Sequence, residues 1–189
     1  MQPDKFVKSM SEFPQILYSI EMIQQVTKQN DFDTLAKLLN EAFVTVAKEF
    51  GLTKENSPNN NAFIAGDELK AQLTESREFY TYANIGKLVG FIAIEKALNT
   101  PGTFYIEKLA VVPDSRHLGI GRQLMDFASN RIVELGGKCI SIGLINSNTV
   151  LKTWYNKQGY VECSVKTFEH LPFEVCIMEK IIKKQESNA

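Results

Sequence analysis

The segment VVPDSRHLGIGRQLMDFA, Val111 to Ala128, sets Gly119 and Gly121 between an apolar run and an amphipathic helical pattern. A helix that begins there presents backbone N–H groups with no partner inside the helix. Its aligned peptide dipoles add roughly half a positive charge at that end. Residues without a Cβ let an anion approach the backbone closely, so phosphate suits such a place. Arg116 and Arg122 flank the loop and would add charge-assisted hydrogen bonds, and His117 stands beside it. The plain alternative for a Gly-x-Gly is a tight turn with no ligand. Two nucleotide motifs do not fit: a dinucleotide fingerprint asks for a third glycine where Leu124 stands, and no Gly-x-x-x-x-Gly-Lys-Ser/Thr string occurs.

The elements that must hold this loop can be read from hydrophobic period and punctuation. SIEMIQQV, with Ile20, Met22 and Val26, alternates as a first strand. Asp31 is an N-cap, and Leu35, Leu38, Leu39, Phe43, Val46, Ala47 and Phe50 then recur at three and four until Gly51, with a break at the middle left open. ENSPNNNAF is a polar loop and DELKAQLTES a short helix. EFYTYANIGKLVGFIAIEKA predicts two strands joined around Asn84 to Lys87, and TFYIEKLAVV a further strand stopped by Pro113. A second amphipathic helix runs from Ile120 through Leu124, Phe127, Ala128, Ile132 and Leu135 to the Gly136-Gly137 stop. KCISIGLI is a strand, NTVLKTWYNKQG a helix capped by Asn148 and ended by Gly159, and two closing strands flank EHLP. The order implies an α/β (α+β) chain: a mixed sheet of six to seven strands with helices on both faces.

Composition bounds the function. The 189 residues are 44% hydrophobic and 23% charged, enough for one substantial core, with a formal net charge of -1. No basic field exists to draw in a nucleic-acid backbone, and no run reaches the roughly 18 apolar residues of a membrane span. Cys139, Cys163 and Cys176 are an odd number without a C-x-x-C pair and read as reduced core thiols. The amino terminus shows no apolar h-region, so a cytosolic location is expected, and no metal site is.

RHLGIG, Arg116 to Gly121, preceded by LAVVPDSR, resembles the R/Q-x-x-G-x-G/A signature of GNAT-type acyl-CoA N-acyltransferases. NTVLKTWYNKQGY, Asn148 to Tyr160, is similar to that family's later segment of Asn, helix, Tyr, Lys and Gly-aromatic. The resemblance covers 20–183 as one domain and leaves 1–19 and the tail 184–189 outside. It implies the GNAT fold and acetyl-CoA as co-substrate. Carried over by position, the backbone around Arg116, His117, Leu118, Gly119, Ile120, Gly121 and Arg122 would hold the coenzyme pyrophosphate. Leu109, Ala110 and Val111 would offer main-chain groups to the pantetheine arm, Asn148 would meet the coenzyme through its amide, and Tyr155 would sit beside the sulfur. The family also implies that the first helices and the closing hairpin line the acceptor site, here Glu41, Phe43 and His170, and that a homodimer is a common assembly.

Given a thioester and an amine, the chemistry follows. An oxyanion develops on the acyl oxygen, and one fixed N–H donor aimed at it, such as Leu109, is worth about 3 kcal/mol. A neutral phenol, Tyr155, can protonate the departing thiolate. An alkylamine of pKa near 10.4 must lose a proton first, at a cost of about 4 to 5 kcal/mol at pH 7. Glu107 is the first candidate base, because period-two alternation sets it on the face of Leu109. His170 is the second, and the fifth strand, SIGLIN, holds no carboxylate. Glu41, Glu49 and Glu55 would attract a cationic amine. The expected reaction is direct acetyl transfer to a primary amine of a small molecule in a ternary complex. The alternatives are a protein or peptide amine acceptor, or a non-catalytic acyl-CoA-binding or sensing domain.

Overall fold

Alternating apolar residues build the sheet in the order anticipated. The computed structural model describes residues 23–182, and its strands are β1 (Ile23–Gln25), β2 (Arg77–Asn84), β3 (Lys87–Lys96), β4 (Thr103–Val111), β5 (Cys139–Ile145), β6 (Val161–Lys166) and β7 (Val175–Ile181). They form one sheet ordered β1-β2-β3-β4-β5-β7-β6, antiparallel except for β4 with β5. Ile20, Met22, the leader 1–19 and the tail 184–189 lie outside the described residues.

Among the described residues, four α-helices connect the strands: α1 (Phe32–Glu49), α2 (Gly66–Ala71), α3 (Ile120–Glu134) and α4 (Thr149–Asn156). α1 runs unbroken. The Asp31 carboxylate accepts from the N–H groups of Asp33 and Thr34, and Leu35, Leu38, Leu39 and Ala42 turn one stripe into the core. α3 covers one face of the sheet. Tyr80 of β2 meets Phe127 edge-on at 4.7 Å, and Arg131 donates to both oxygens of Glu78. α1 and α2 cover the other, where Phe79 and Phe91 lie 5.2 Å apart and Arg77 reaches Gln72. Sequence alternation put these residues on opposite faces, and the register does so.

One irregularity shapes everything that follows. Ala93 pairs with Glu107 and Phe91 with Ala110, so two steps on β3 face three on β4. This is a β-bulge, with Lys108 at φ 51 in the left-handed region. It corrects the expectation that Glu107 and Leu109 share a face: Phe91 and Ala93 are two apart on one face, so Glu107 shares its face with Ala110 instead. The ladder between β4 and β5 consists of Thr103 with Cys139, Phe104 with Ile140 and Tyr105 with Ser141, and it stops there. Beyond Tyr105 the two central strands have no mutual pairing, and a cleft opens between them.

The cysteines need a second correction. Cys176 is buried and Cys139 half-buried, but Cys163 is exposed on β6, an edge strand whose residues are all exposed.

Candidate functional site

Above the cleft the chain leaves β4, makes a short 3-10 turn at Pro113–Ser115, and enters α3. The backbone N–H groups of Ser115 and Arg116 are taken by Val112 and Pro113 carbonyls. Those of His117 through Arg122 have no acceptor among the described residues. α1 and α4 are capped by Asp31 and Asn148, whereas α3 has Gly119 at its N-cap, no side-chain cap and no acidic residue in its first turn. His117 (φ 63°) and Gly119 (φ 81°) take the left-handed conformation that recurs in anion-binding backbone nests. A histidine in that region costs on the order of 1 kcal/mol or more, held by the surrounding structure.

The two glycines differ in what they permit. Gly119 is left-handed, and a methyl there would meet only Gln123 Nε2, at 3.9 Å, so the space before the amides is open. Gly121 has ordinary helical φ; its methyl would stand 3.6 Å from Trp154 Cζ2 and 3.8 Å from Val111 Cγ2. Trp154 of α4 therefore packs on the mouth of α3, and this contact joins the two segments singled out in the sequence.

The arginines do not act alike. The Arg116 guanidinium turns away from the loop: Nε donates to Val111 O at 3.1 Å, and Nη2 to Ala42 O at 2.6 Å and Thr45 Oγ1 at 3.0 Å. These contacts correct the expectation of an anion-binding side chain; it braces the loop against α1 and the end of β4. Arg122 is exposed, with Asp126 at 3.9 Å one turn along. His117 and Leu118 are also exposed, while Ile120 is buried. Asn148 accepts from the Leu151 N–H through Oδ1, so the carboxamide N–H groups are what it has left for a ligand.

Tyr155 follows Trp154 and is 7% exposed, edge-on to Trp154 at 4.9 Å and to Tyr160 at 5.5 Å. Burial pushes its phenol well above the ordinary tyrosine pKa, so it is a neutral donor at pH 7. Leu109, at the bulge, is half-buried against the core, with Val111 beside it and Ala110 fully buried. Glu107 Oε2 lies 3.3 Å from Arg77 Nη2, and Arg77 also holds Glu95.

Phe43, expected on the acceptor side, joins Phe50, Phe63, Ile145 and Phe173 around Ala47, Leu52 and Ala62. This wall draws on α1, the α1–α2 loop, the cleft end of β5 and the β6–β7 connection. Glu41 and His170 stand apart in solvent, the His170 ring 5.7 Å from Phe168. Sequence reasoning missed Phe63, Phe173, Asn61 and Lys108. The asparagine-rich patch is a loop, as expected, and its turns are hydrogen-bonded: Asn56 accepts from the Thr53 N–H, Asn60 from the Ala62 N–H, and Asn61 accepts from Lys108 Nζ at 2.8 Å.

The chain is similar to known proteins in sequence and in fold. A family model described as "Acetyltransferase (GNAT) domain" matches residues 46–181. A relative described as an uncharacterized N-acetyltransferase in the pepI 3' region, from Lactobacillus delbrueckii subsp. lactis, is 26% identical over 135 residues, covering 66% of this chain and 77% of that one. Among solved structures, the ribosomal-protein-S18-alanine N-acetyltransferase of Escherichia coli aligns with TM-score 0.66 at 16% identity, over 88% of this chain and 97% of its own. The PaiA N-acetyltransferase of Thermoplasma acidophilum, solved with coenzyme A, aligns with TM-score 0.64 at 18% identity, over 85% of this chain and 98% of its own.

Proposed function

The chain belongs to the GNAT acetyltransferase family, and from that premise we propose that it transfers an acetyl group from acetyl-CoA directly to a primary amine of a small molecule. The observation that carries the site assignment is the run of unpartnered amides from His117 to Arg122 at the uncapped mouth of α3, beside the opening between β4 and β5. Such a nest fits a pyrophosphate, and Gly119 leaves it room.

In this reading the amides of His117 to Arg122 hold the pyrophosphate, Arg116 keeps their loop in place, and main-chain groups of Leu109, Ala110 and Val111 line the pantetheine path. Acetyl-CoA supplies an acyl carbon activated as a thioester. During transfer an N–C bond forms as the C–S bond breaks, one proton leaves the amine and one reaches the sulfur. The Leu109 N–H meets the charge that develops on the acyl oxygen. Tyr155 gives the proton to the sulfur, and Glu107, bordering the bulge, takes the amine's proton. Phe43 belongs to the acceptor wall. No helix among the described residues is long and apolar enough to cross a membrane. A cytosolic location is part of the proposal and goes with the three free thiols.

Coenzyme A at a hundredfold excess over its Kd is expected to add about 2.7 kcal/mol of stability, read as a rise in Tm. Thiol release from acetyl-CoA against an amine panel then tests turnover. Tyr155→Phe is expected to lower kcat by about 10²- to 10⁴-fold while sparing the Tm shift. An undiminished rate removes Tyr155 as the acid; a Tm shift with no turnover on any amine favours a binding domain over an enzyme.

A further inference from the structure

The acceptor side of the cleft carries a cation whose donors the fold uses only in part. Lys108, at the bulge in β4, is half-buried beneath the α1–α2 loop, where its Nζ donates to Asn61 Oδ1 at 2.8 Å. Asn61 is itself fixed, because Asn40 Nδ2 donates to Asn61 O at 3.0 Å and to Ile64 O at 3.2 Å. An ammonium has three donors, and Asn61 is the one acceptor the described residues give it. The neighbouring carboxylates, Glu107 and Glu95, both face Arg77. Desolvation pulls the Lys108 pKa below the usual lysine value, with Glu107 opposing, as expected for a cation short of partners.

Two residues beyond Asn61, Phe63 enters the wall with Phe43 and Phe173. One short stretch of the α1–α2 loop thus supplies both the acceptor for Lys108, at Asn61, and a member of the aromatic cluster, at Phe63. A polycationic acceptor would bring like charge against Lys108. Glu41, Glu49 and Glu55, the carboxylates expected to draw such an acceptor, are exposed instead.

We infer that the acceptor is a primary amine that also carries an anionic group, held by Lys108, and an apolar substituent, held by the Phe43, Phe63 and Phe173 wall. An apolar α-amino acid has this chemistry. The inference rests on the transferase reading above and makes Lys108 a specificity-determining residue.

The full-length protein is assayed for thiol release from acetyl-CoA with phenylalanine, phenylalanine amide, 2-phenylethylamine and glycine. The expected kcat/KM for phenylalanine exceeds that of the amide and of the decarboxylated amine by about tenfold to hundredfold, the worth of one charged hydrogen bond. Glycine, without the apolar part, falls at least about tenfold below phenylalanine. Lys108→Met is expected to bring the acid-to-amide ratio to about one and Lys108→Arg to retain the preference, both keeping the coenzyme A Tm shift. Equal turnover of acid, amide and amine by the wild type overturns the inference whether or not the variants fold. Glycine matching phenylalanine, or silence with all four while coenzyme A still raises Tm, overturns it as well. A protein that coenzyme A does not stabilise overturns the transferase reading itself.

Discussion

Arg116→Met separates two roles for the arginine that opens the RHLGIG loop. Methionine keeps the aliphatic stem and removes the guanidinium, and with it the hydrogen bonds to Val111 O, Ala42 O and Thr45 Oγ1. At about 1 kcal/mol net for each, the loss is about 3 kcal/mol. For a chain of this length each kcal/mol moves Tm by roughly 2 to 4 °C, so a fall of about 6 to 12 °C is expected without ligand. Lysine has no fork and can restore only part of the set, so Arg116→Lys should recover about a third of the loss. Denaturant unfolding gives the free energy, and calorimetric titration with coenzyme A gives the affinity. In the bracing role, stability falls first, and affinity falls because the loop that presents the amides has lost its anchor to α1. A variant with wild-type stability in the absence of ligand and a large loss of coenzyme A affinity would refute the reasoning, since the guanidinium would then have to act on the coenzyme itself.

Two further outcomes follow from the same geometry. Gly119→Ala places an L residue at φ 81 and should cost about 1 to 2 kcal/mol of stability together with coenzyme A affinity, whereas Gly121→Ala meets Trp154 and Val111 at ordinary contact distance and should be neutral within about 0.5 kcal/mol; equal effects in a side-by-side melt and titration would show that the two glycines are not doing different things. Burial raises the phenols of Tyr155 and Tyr160, and burial with the Glu78 hydrogen bond pushes Tyr80 up to about 12. Their folded values lie above the unfolded value near 10, so this stabilisation is complete below about pH 10 and is lost as pH rises through the folded values. Tm should hold from pH 7 to 9 and fall above 10, with tyrosinate absorbance appearing alongside unfolding and Tyr160→Phe flattening the fall; tyrosinate appearing while the fold persists would count against it.

The order of elements was legible because each boundary carries a local chemical mark: Asp31 and Asn148 accept amides at helix starts, and a left-handed Gly136 follows the end of α3. The start of α3 was legible from Gly119 and Gly121, which stand between an apolar run and a helical pattern, and Gly119 is the N-cap. The bulge left no mark. Lysine rarely takes positive φ, and nothing about Lys108 announces that it does, so alternation misplaced Glu107 relative to Leu109. Arg116 was misread because its partners are mostly backbone carbonyls, which have no letter in a sequence. The asparagine patch was legible as a loop but its contacts were not, because single asparagines satisfy local turns and long-range contacts equally well, and only folding decides which. Cys163 lies between Glu162 and Ser164 on an edge strand, and edge position is a property of the sheet order.

The surplus residue in β4 can also be regarded as arithmetic. A strand with one residue more than its neighbours can stay in step with one of them only. β4 resumes its ladder with β3 after the surplus, Ala110 facing Phe91 and Val111 facing Gly90, while its ladder with β5 ends at Tyr105. The cleft is in that sense the remainder of a division between two strands, written into the length of β4 and not into any side chain. Side chains could then be exchanged along its walls, and acceptors with them, without the opening itself being lost.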